Sequence, residues 1–136
     1  MIITLTANPS LDRTIELGAP LAHGAVQRAV GAVQDPGGKG VNISRALQVS
    51  GVPTLAIVPG EATDPVGTTT KLNAPGTVFD AELRQKLDEL VVERSKGADW
   101  VVLAGSLPPG LEPTYYSELV AALRASGYEG KIAIDT

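Results

Sequence analysis

Cysteine is absent from the 136 residues, which excludes a disulfide scaffold, a thiol nucleophile and a Cys-ligated zinc site. A single histidine, His23, argues against a multi-histidine metal site, and its place in a polar loop argues against a Ser-His-Asp triad. Aromatic residues reach only 4% and no stripe of Lys and Arg occurs, so the positive field a nucleic-acid partner requires is missing. No apolar run approaches the ~20 residues of a membrane-spanning helix, so no membrane partner is expected. Met1-Ile2-Ile3-Thr4-Leu5 has no basic stretch ahead of its apolar residues. It therefore does not read as a secretory signal, and a cytoplasmic protein is expected.

What is present describes a globular chain. Hydrophobic residues make up 43% and charged residues 19%, enough for a buried core of one domain. Eleven Lys and Arg against fifteen Asp and Glu give a net charge of −4. The balance is uneven, because residues 1–60 hold four cations and only three acids. The few early cations, Arg28 and Lys39 among them, therefore call for individual explanations. Fifteen glycines and ten prolines, without any low-complexity tract, place the excess of these residues in turns.

Strand and helix patterns alternate along the chain. Ile2–Thr6 is a short, mostly β-branched run that reads as a buried strand, ending in the turn cluster Asn8-Pro9-Ser10. Thr14–Leu17 alternates polar and apolar as a half-buried strand does, and Val26–Gln34 is a further extended stretch. From Val41 the apolar positions change to helical spacing, with Gly51 as the stop. Thr54–Val58 reads as another buried strand, and Thr68–Leu72 as an extended segment. Asp80 suits the N-cap of a helix carrying Leu83, Leu87, Leu90 and Val91, ended by Gly97. Trp100–Ala104 is the most apolar strand, with Trp100 expected in the core. A helix opened by Pro113 follows, with Tyr116, Leu119, Val120 and Leu123 on one face; Gly127 ends it, and Lys131–Asp135 is a last strand. The alternation implies an α/β fold with a mostly parallel sheet. One connection conflicts with it: only nine residues separate Val58 from Thr68. A parallel crossover takes a dozen or more. Either Thr68–Leu72 pairs antiparallel, or a segment is missing there.

The most informative stretch is Asp35-Pro36-Gly37-Gly38-Lys39-Gly40-Val41-Asn42. Its glycines allow close approach of the backbone to a ligand, and the helix that follows directs N–H groups and a positive dipole end at the same space. Lys39 adds a cation and Asn42 a donor and an acceptor, which suits a phosphate or a polyhydroxylated ligand. It is not a phosphate-binding P-loop, because Gly40 rather than Ser or Thr follows Lys39, and it is not a G-x-G-x-x-G turn. A glycine turn that merely starts a helix accounts for the composition equally well. Asp12, placed after the first strand, offers a carboxylate that two sugar hydroxyls share, or only an Asx-turn acceptor. Ser106, in Gly105-Ser106-Leu107-Pro108-Pro109-Gly110, sits where backbone N–H groups form an anion nest, or in a loop stiffened by proline. Arg28 and His23 read by default as solvated surface residues.

Taken together, N-P-S-L-D at 8–12, D-P-G-G-K-G-V-N at 35–42 and L-A-G-S-L-P-P-G at 103–110 resemble the PfkB family of carbohydrate kinases in order and spacing. T-K-L-N-A-P-G at 70–76 is similar to its phosphosugar branch, that of the bacterial 1-phosphofructokinases, with tagatose-6-phosphate kinases nearby. The resemblance implies a ribokinase-like three-layer αβα fold and ATP-dependent phosphorylation of a sugar phosphate with Mg²⁺, foremost fructose 1-phosphate to fructose 1,6-bisphosphate. It implies that Asp12, Gly37, Gly38, Lys39 and Asn42 face the sugar. Arg28, Lys71 and Ser106 would contact phosphate, and Asp135 would lie near Mg-ATP. It also exposes departures. No G-A-G-D, the family's catalytic aspartate motif, occurs in the 136 residues. Most of the nucleotide-binding residues are wanting as well. The expectation is a single partial domain over 1–136, with an internal deletion near 66–67 that removes most of a β-lid, and with truncation after 136. Such a chain is expected to be inactive alone and to dimerise weakly through its lid. A non-catalytic sugar-phosphate-binding remnant is the alternative.

Overall fold

The computed structural model describes residues 1–59, the backbone of Thr69–Leu72, and residues 78–136. In chain order the elements are β1 (Ile2–Thr6), β2 (Ser10–Leu17), β3 (Ala29–Gly37), α1 (Lys39–Val49), β4 (Thr54–Pro59), β5 (Thr69–Leu72), α2 (Ala81–Ser95), β6 (Trp100–Ala104), α3 (Tyr115–Ala125) and β7 (Lys131–Asp135). β5, β4, β1, β6 and β7 lie side by side in that order and every pairing is parallel. β1 is the central strand because both of its faces are needed. Ile3 and Leu5 point to one side and join Leu87, Val91, Leu119 and Leu123 of α2 and α3 in the main core. Thr4 and Thr6 point to the other side, under α1, where Thr4 Oγ1 meets Ser44 Oγ at 2.8 Å and Ser44 Oγ meets Thr54 Oγ1 at 2.9 Å. The period-2 alternation of a strand thus divides one five-residue sequence between an apolar and a hydroxyl-lined layer. The result is the three-layer αβα arrangement.

Asp80 caps α2 as its sequence position implies, its carboxylate accepting from Leu83 N at 2.8 Å. β5 runs parallel to β4, so the antiparallel alternative for this segment falls and the short crossover stands. Its connecting residues, with the expected deletion point at 66–67, lie outside the described residues, as do the Lys71 side chain and residues 73–76. Trp100 is not in the core. At the start of β6 it stays 37% exposed, with Lys131 Nζ 5.0 Å from its ring centroid.

β2 and β3 form a separate antiparallel ribbon in which Asp12 faces Asp35 and Ile15 faces Ala32. The half-buried strand inferred from alternation is exposed: Leu11 and Ile15 remain 65% and 54% accessible, because no described layer covers the ribbon. Among the described residues no helix is long and apolar enough to cross a membrane.

α2 and α3 are joined by a polar contact at the edge of their apolar seam. Tyr115 OH donates to Asp88 Oδ1 at 2.8 Å, and the Arg84 guanidinium lies 5.4 Å from the Tyr115 ring while pairing with Glu118. Burial pushes the Asp88 carboxyl above its ordinary 3.8, and the Tyr115 and Arg84 contacts oppose that rise. Tyr115→Phe removes a donor to a partly desolvated carboxylate and is expected to cost about 1–2 kcal/mol at neutral pH. Because the lost bond serves the charged form, the cost shrinks as acid protonates Asp88. Urea unfolding of both chains at neutral and acidic pH measures this, and a cost independent of pH would remove Asp88 from the account.

Candidate functional site

In an open parallel sheet, ligands bind beyond the carboxyl ends of the strands where the strand order reverses. Here the chain leaves β1 for β4 on one side and returns on the other as β6, so the reversal falls between β1 and β6. Their register pairs Thr6 with Ala104. Two residues further on, Asn8 and Ser106 meet across the crevice, Asn8 Nδ2 donating to Ser106 Oγ at 3.0 Å.

The glycine loop reaches the same place because α1 begins against the end of β1. Val41 N donates to Thr6 Oγ1 at 3.1 Å. A Cβ on Gly40 would strike Thr6 Oγ1 and approach Leu5 O to 3.0 Å, and one on Gly38 would lie 2.7 Å from Thr6 Cγ2. Gly38 also has a φ of 114°, a left-handed value that disfavours other residues. These glycines are thus required by the chain's own packing, whatever ligand sits above them. Beyond the Thr6 hydroxyl on Val41 N, Gly38 supplies no side-chain cap and the first turn of α1 holds no carboxylate, so that turn brings no negative charge of its own to the positive end of the helix.

Lys39, the first residue of α1, extends to the end of β7, where its Nζ lies 2.9 Å from Asp135 Oδ1. Both side chains are about half exposed. Gly105 closes the ring: its N–H donates to Asp135 O at 2.8 Å, and its carbonyl accepts from the buried Tyr116 hydroxyl, also at 2.8 Å. A Cβ added at Gly105 would touch Lys39 Cβ at 3.9 Å. The N–H of Gly105 is therefore spent and does not contribute to an anion nest; what that loop offers is the exposed Ser106 hydroxyl.

Asp12 does not sit in the turn after β1 but within β2. Ser10 Oγ donates to its Oδ1 at 3.1 Å, and its carboxylate lies across Gly37, where a Cβ would overlap it. Its direct opposite is Asp35, which lies 3.9 Å from Arg45. Two carboxylates facing one another across a ribbon cost stability. Asn42 is exposed on the first turn of α1, its N–H bonded to Gly38 O. The structure thus brings Asp12, Gly37, Gly38, Lys39, Asn42, Ser106 and Asp135 to one end of the sheet. Arg28 is elsewhere: it precedes β3 at the ribbon's far end, roughly 30 Å from Gly37 at the rise of a strand. Among the described residues no three His, Asp or Glu side chains gather as a cation site.

Chemically the cluster offers an ammonium, a hydroxyl and a helix N-terminus for an anion, with a carboxylate and an amide beside them for hydroxyl groups. Asn8 and the Lys39–Asp135 pair are the members that sequence reasoning missed. The signal for Asn8 was present, because two buried strands each end in a turn cluster with a hydrogen-bonding side chain at the second residue.

No family model matches the chain. It is 32% identical to a 1-phosphofructokinase of Xanthomonas campestris over 98% of its own length and 52% of that protein's. It is 30% identical to an ATP-dependent 6-phosphofructokinase isozyme 2 of Escherichia coli, over 93% of the chain and 51% of the relative. A crystal structure of a possible 1-phosphofructokinase from Thermotoga maritima superposes with a TM-score of 0.74 at 25% identity, over 99% of this chain and 53% of that one. The chain spans about half the length of the curated relatives it matches.

Proposed function

From a chain that is a relative of the PfkB-type phosphofructokinases and has their ribokinase-like fold, we propose the acceptor-binding part of an ATP-dependent sugar-phosphate kinase, with fructose 1-phosphate as the sugar. The observation that carries this reading is the convergence of Lys39, Ser106 and the start of α1, whose first turn holds no carboxylate, beside Asp12. In it, Lys39 and Ser106 hold the phosphate, Asp12 and Asn42 hold sugar hydroxyls, and Gly37 and Gly38 keep that face open. ATP with Mg²⁺ would supply the phosphoryl group, and none of the described residues is assigned a step at it. Phosphate-contacting roles for Lys71 and Arg28 rest on the resemblance alone.

The 136 residues by themselves hold this acceptor without turning it over, for want of the G-A-G-D aspartate. An internal deletion near 66–67 belongs to the same proposal. In its favour, the match to the Xanthomonas relative runs over 168 positions although the chain has 136 residues. The nine-residue connection into a parallel strand agrees with it. Self-association through the lid, most of which that deletion would remove, is correspondingly weak. Calorimetric titration of the purified chain with fructose 1-phosphate is expected to show binding without nucleotide, and a coupled assay with ATP to show no fructose 1,6-bisphosphate. Absence of binding would reject the acceptor site, and turnover would reject the binding-only part.

A further inference from the structure

We infer that Asn8 is a positioning residue for anion recognition, acting through Ser106; this rests on the sugar-phosphate reading of the site. A serine hydroxyl has one proton and two lone pairs. Asn8 Nδ2, at 3.0 Å, donates to Ser106 Oγ and so occupies a lone pair. The hydroxyl proton must then point elsewhere, which leaves Ser106 as a donor to an incoming phosphate oxygen. Without Asn8 the hydroxyl rotates freely, and the anion must itself orient the proton at a cost in binding free energy.

Everything around this contact is fixed. Asn8 and Ser106 extend two strands held in register at Thr6 and Ala104. Gly105, just before the serine, is held by its N–H on Asp135 O and by the Tyr116 hydroxyl on its carbonyl. Tyr116 is itself buried, and burial raises its hydroxyl to about 12, so it remains a donor throughout the working pH range. The amide therefore sets the polarity of a hydroxyl whose place is already determined, at the crevice where the strand order reverses.

A double-mutant cycle on the 136-residue chain tests this, with fructose 1-phosphate as the calorimetric titrant and unfolding midpoints recorded alongside. Asn8→Ala is expected to weaken binding about tenfold, and less than twofold when Ser106 is already alanine. Asn8→Asp keeps the shape but turns the donor into an acceptor that takes the serine proton. It is expected to weaken binding at least as much as Asn8→Ala, with little change in midpoint, and it carries the test if the alanine variant does not fold. Losses that simply add in the double variant would overturn the inference, since Asn8 would then act by itself. Binding by Asn8→Asp equal to that of the parent would overturn it too. A parent chain that does not bind fructose 1-phosphate instead sinks the site reading, and the inference with it.

Discussion

Lys39→Met is expected to weaken binding of fructose 1-phosphate by roughly ten- to a hundredfold, while Asp135→Asn strengthens it severalfold. The opposite signs follow from one ion pair. Lys39 Nζ rests 2.9 Å from Asp135 Oδ1, with 49% and 60% of the two side chains accessible. A pair so exposed adds little to stability, because water and salt screen it. Its consequence is local: a phosphate that approaches Lys39 competes with a carboxylate already there and meets that carboxylate's charge. Removing the ammonium takes away a charge-assisted hydrogen bond to the anion. Removing the carboxylate's charge leaves the ammonium in place and relieves the repulsion. Methionine keeps the apolar stem that lies near Gly105, so the unfolding midpoint should hardly move. Raising the salt concentration should bring the parent and Asp135→Asn together, since the difference between them is Coulombic. Unchanged binding in Lys39→Met would remove Lys39 from the site. Weaker binding in Asp135→Asn would show that the carboxylate orients Lys39 and does not compete for it.

The residues that carry this argument were legible in the sequence to very different degrees. Local rules located the parallel-sheet strands and the helices, because Ile2–Thr6 and Trp100–Ala104 are short apolar runs and Leu83, Leu87 and Val91 keep helical spacing. The same rules failed where tertiary context decides. Thr14–Leu17 alternates as a half-buried strand should, yet alternation records only that one face is apolar, not that anything covers it. Asn8-Pro9-Ser10 reads as a turn with Asp12 just after it, but pairing with Gly37-Pro36-Asp35 draws Ser10-Leu11-Asp12 into the ribbon. Lys39 and Asp135 are 96 residues apart and Asn8 and Ser106 are 98 apart. Those contacts exist only through the β1–β6–β7 register, which no local pattern states. The glycine loop was informative for a second reason as well: its residues serve packing on Thr6 and Leu5 in addition to any ligand.

That second role of glycine gives the largest expected loss of stability. Gly110 closes the loop that carries Ser106, with a φ of 95°. A Cβ there would overlap Phe79 O and lie 3.0 Å from both Phe79 C and Phe79 N. The obstruction is backbone, and that backbone is tied down, because Phe79 N donates to Pro109 O at 3.0 Å just before the turn. Gly110→Ala therefore incurs the left-handed cost, about 1–2 kcal/mol, and an overpacking cost of about 1–3 kcal/mol that no rotamer change relieves. Together these come to about 2–5 kcal/mol, a large part of the roughly 5–15 kcal/mol that stabilises a small domain. Gly51 supplies the comparison, since its φ is 75° but a Cβ there meets nothing within 4 Å. Gly51→Ala should show the conformational cost alone, so its thermal midpoint should fall by only a few degrees, and that of Gly110→Ala by roughly 10 °C or more. Ligand binding separates them further. Gly51→Ala leaves the strand ends untouched, whereas any folded Gly110→Ala has had to shift the loop that presents Ser106 and should bind fructose 1-phosphate more weakly. Equal drops in midpoint would mean that the segment at Phe79 yields to the added methyl group, and that the loop is held by its prolines and by Tyr116 instead.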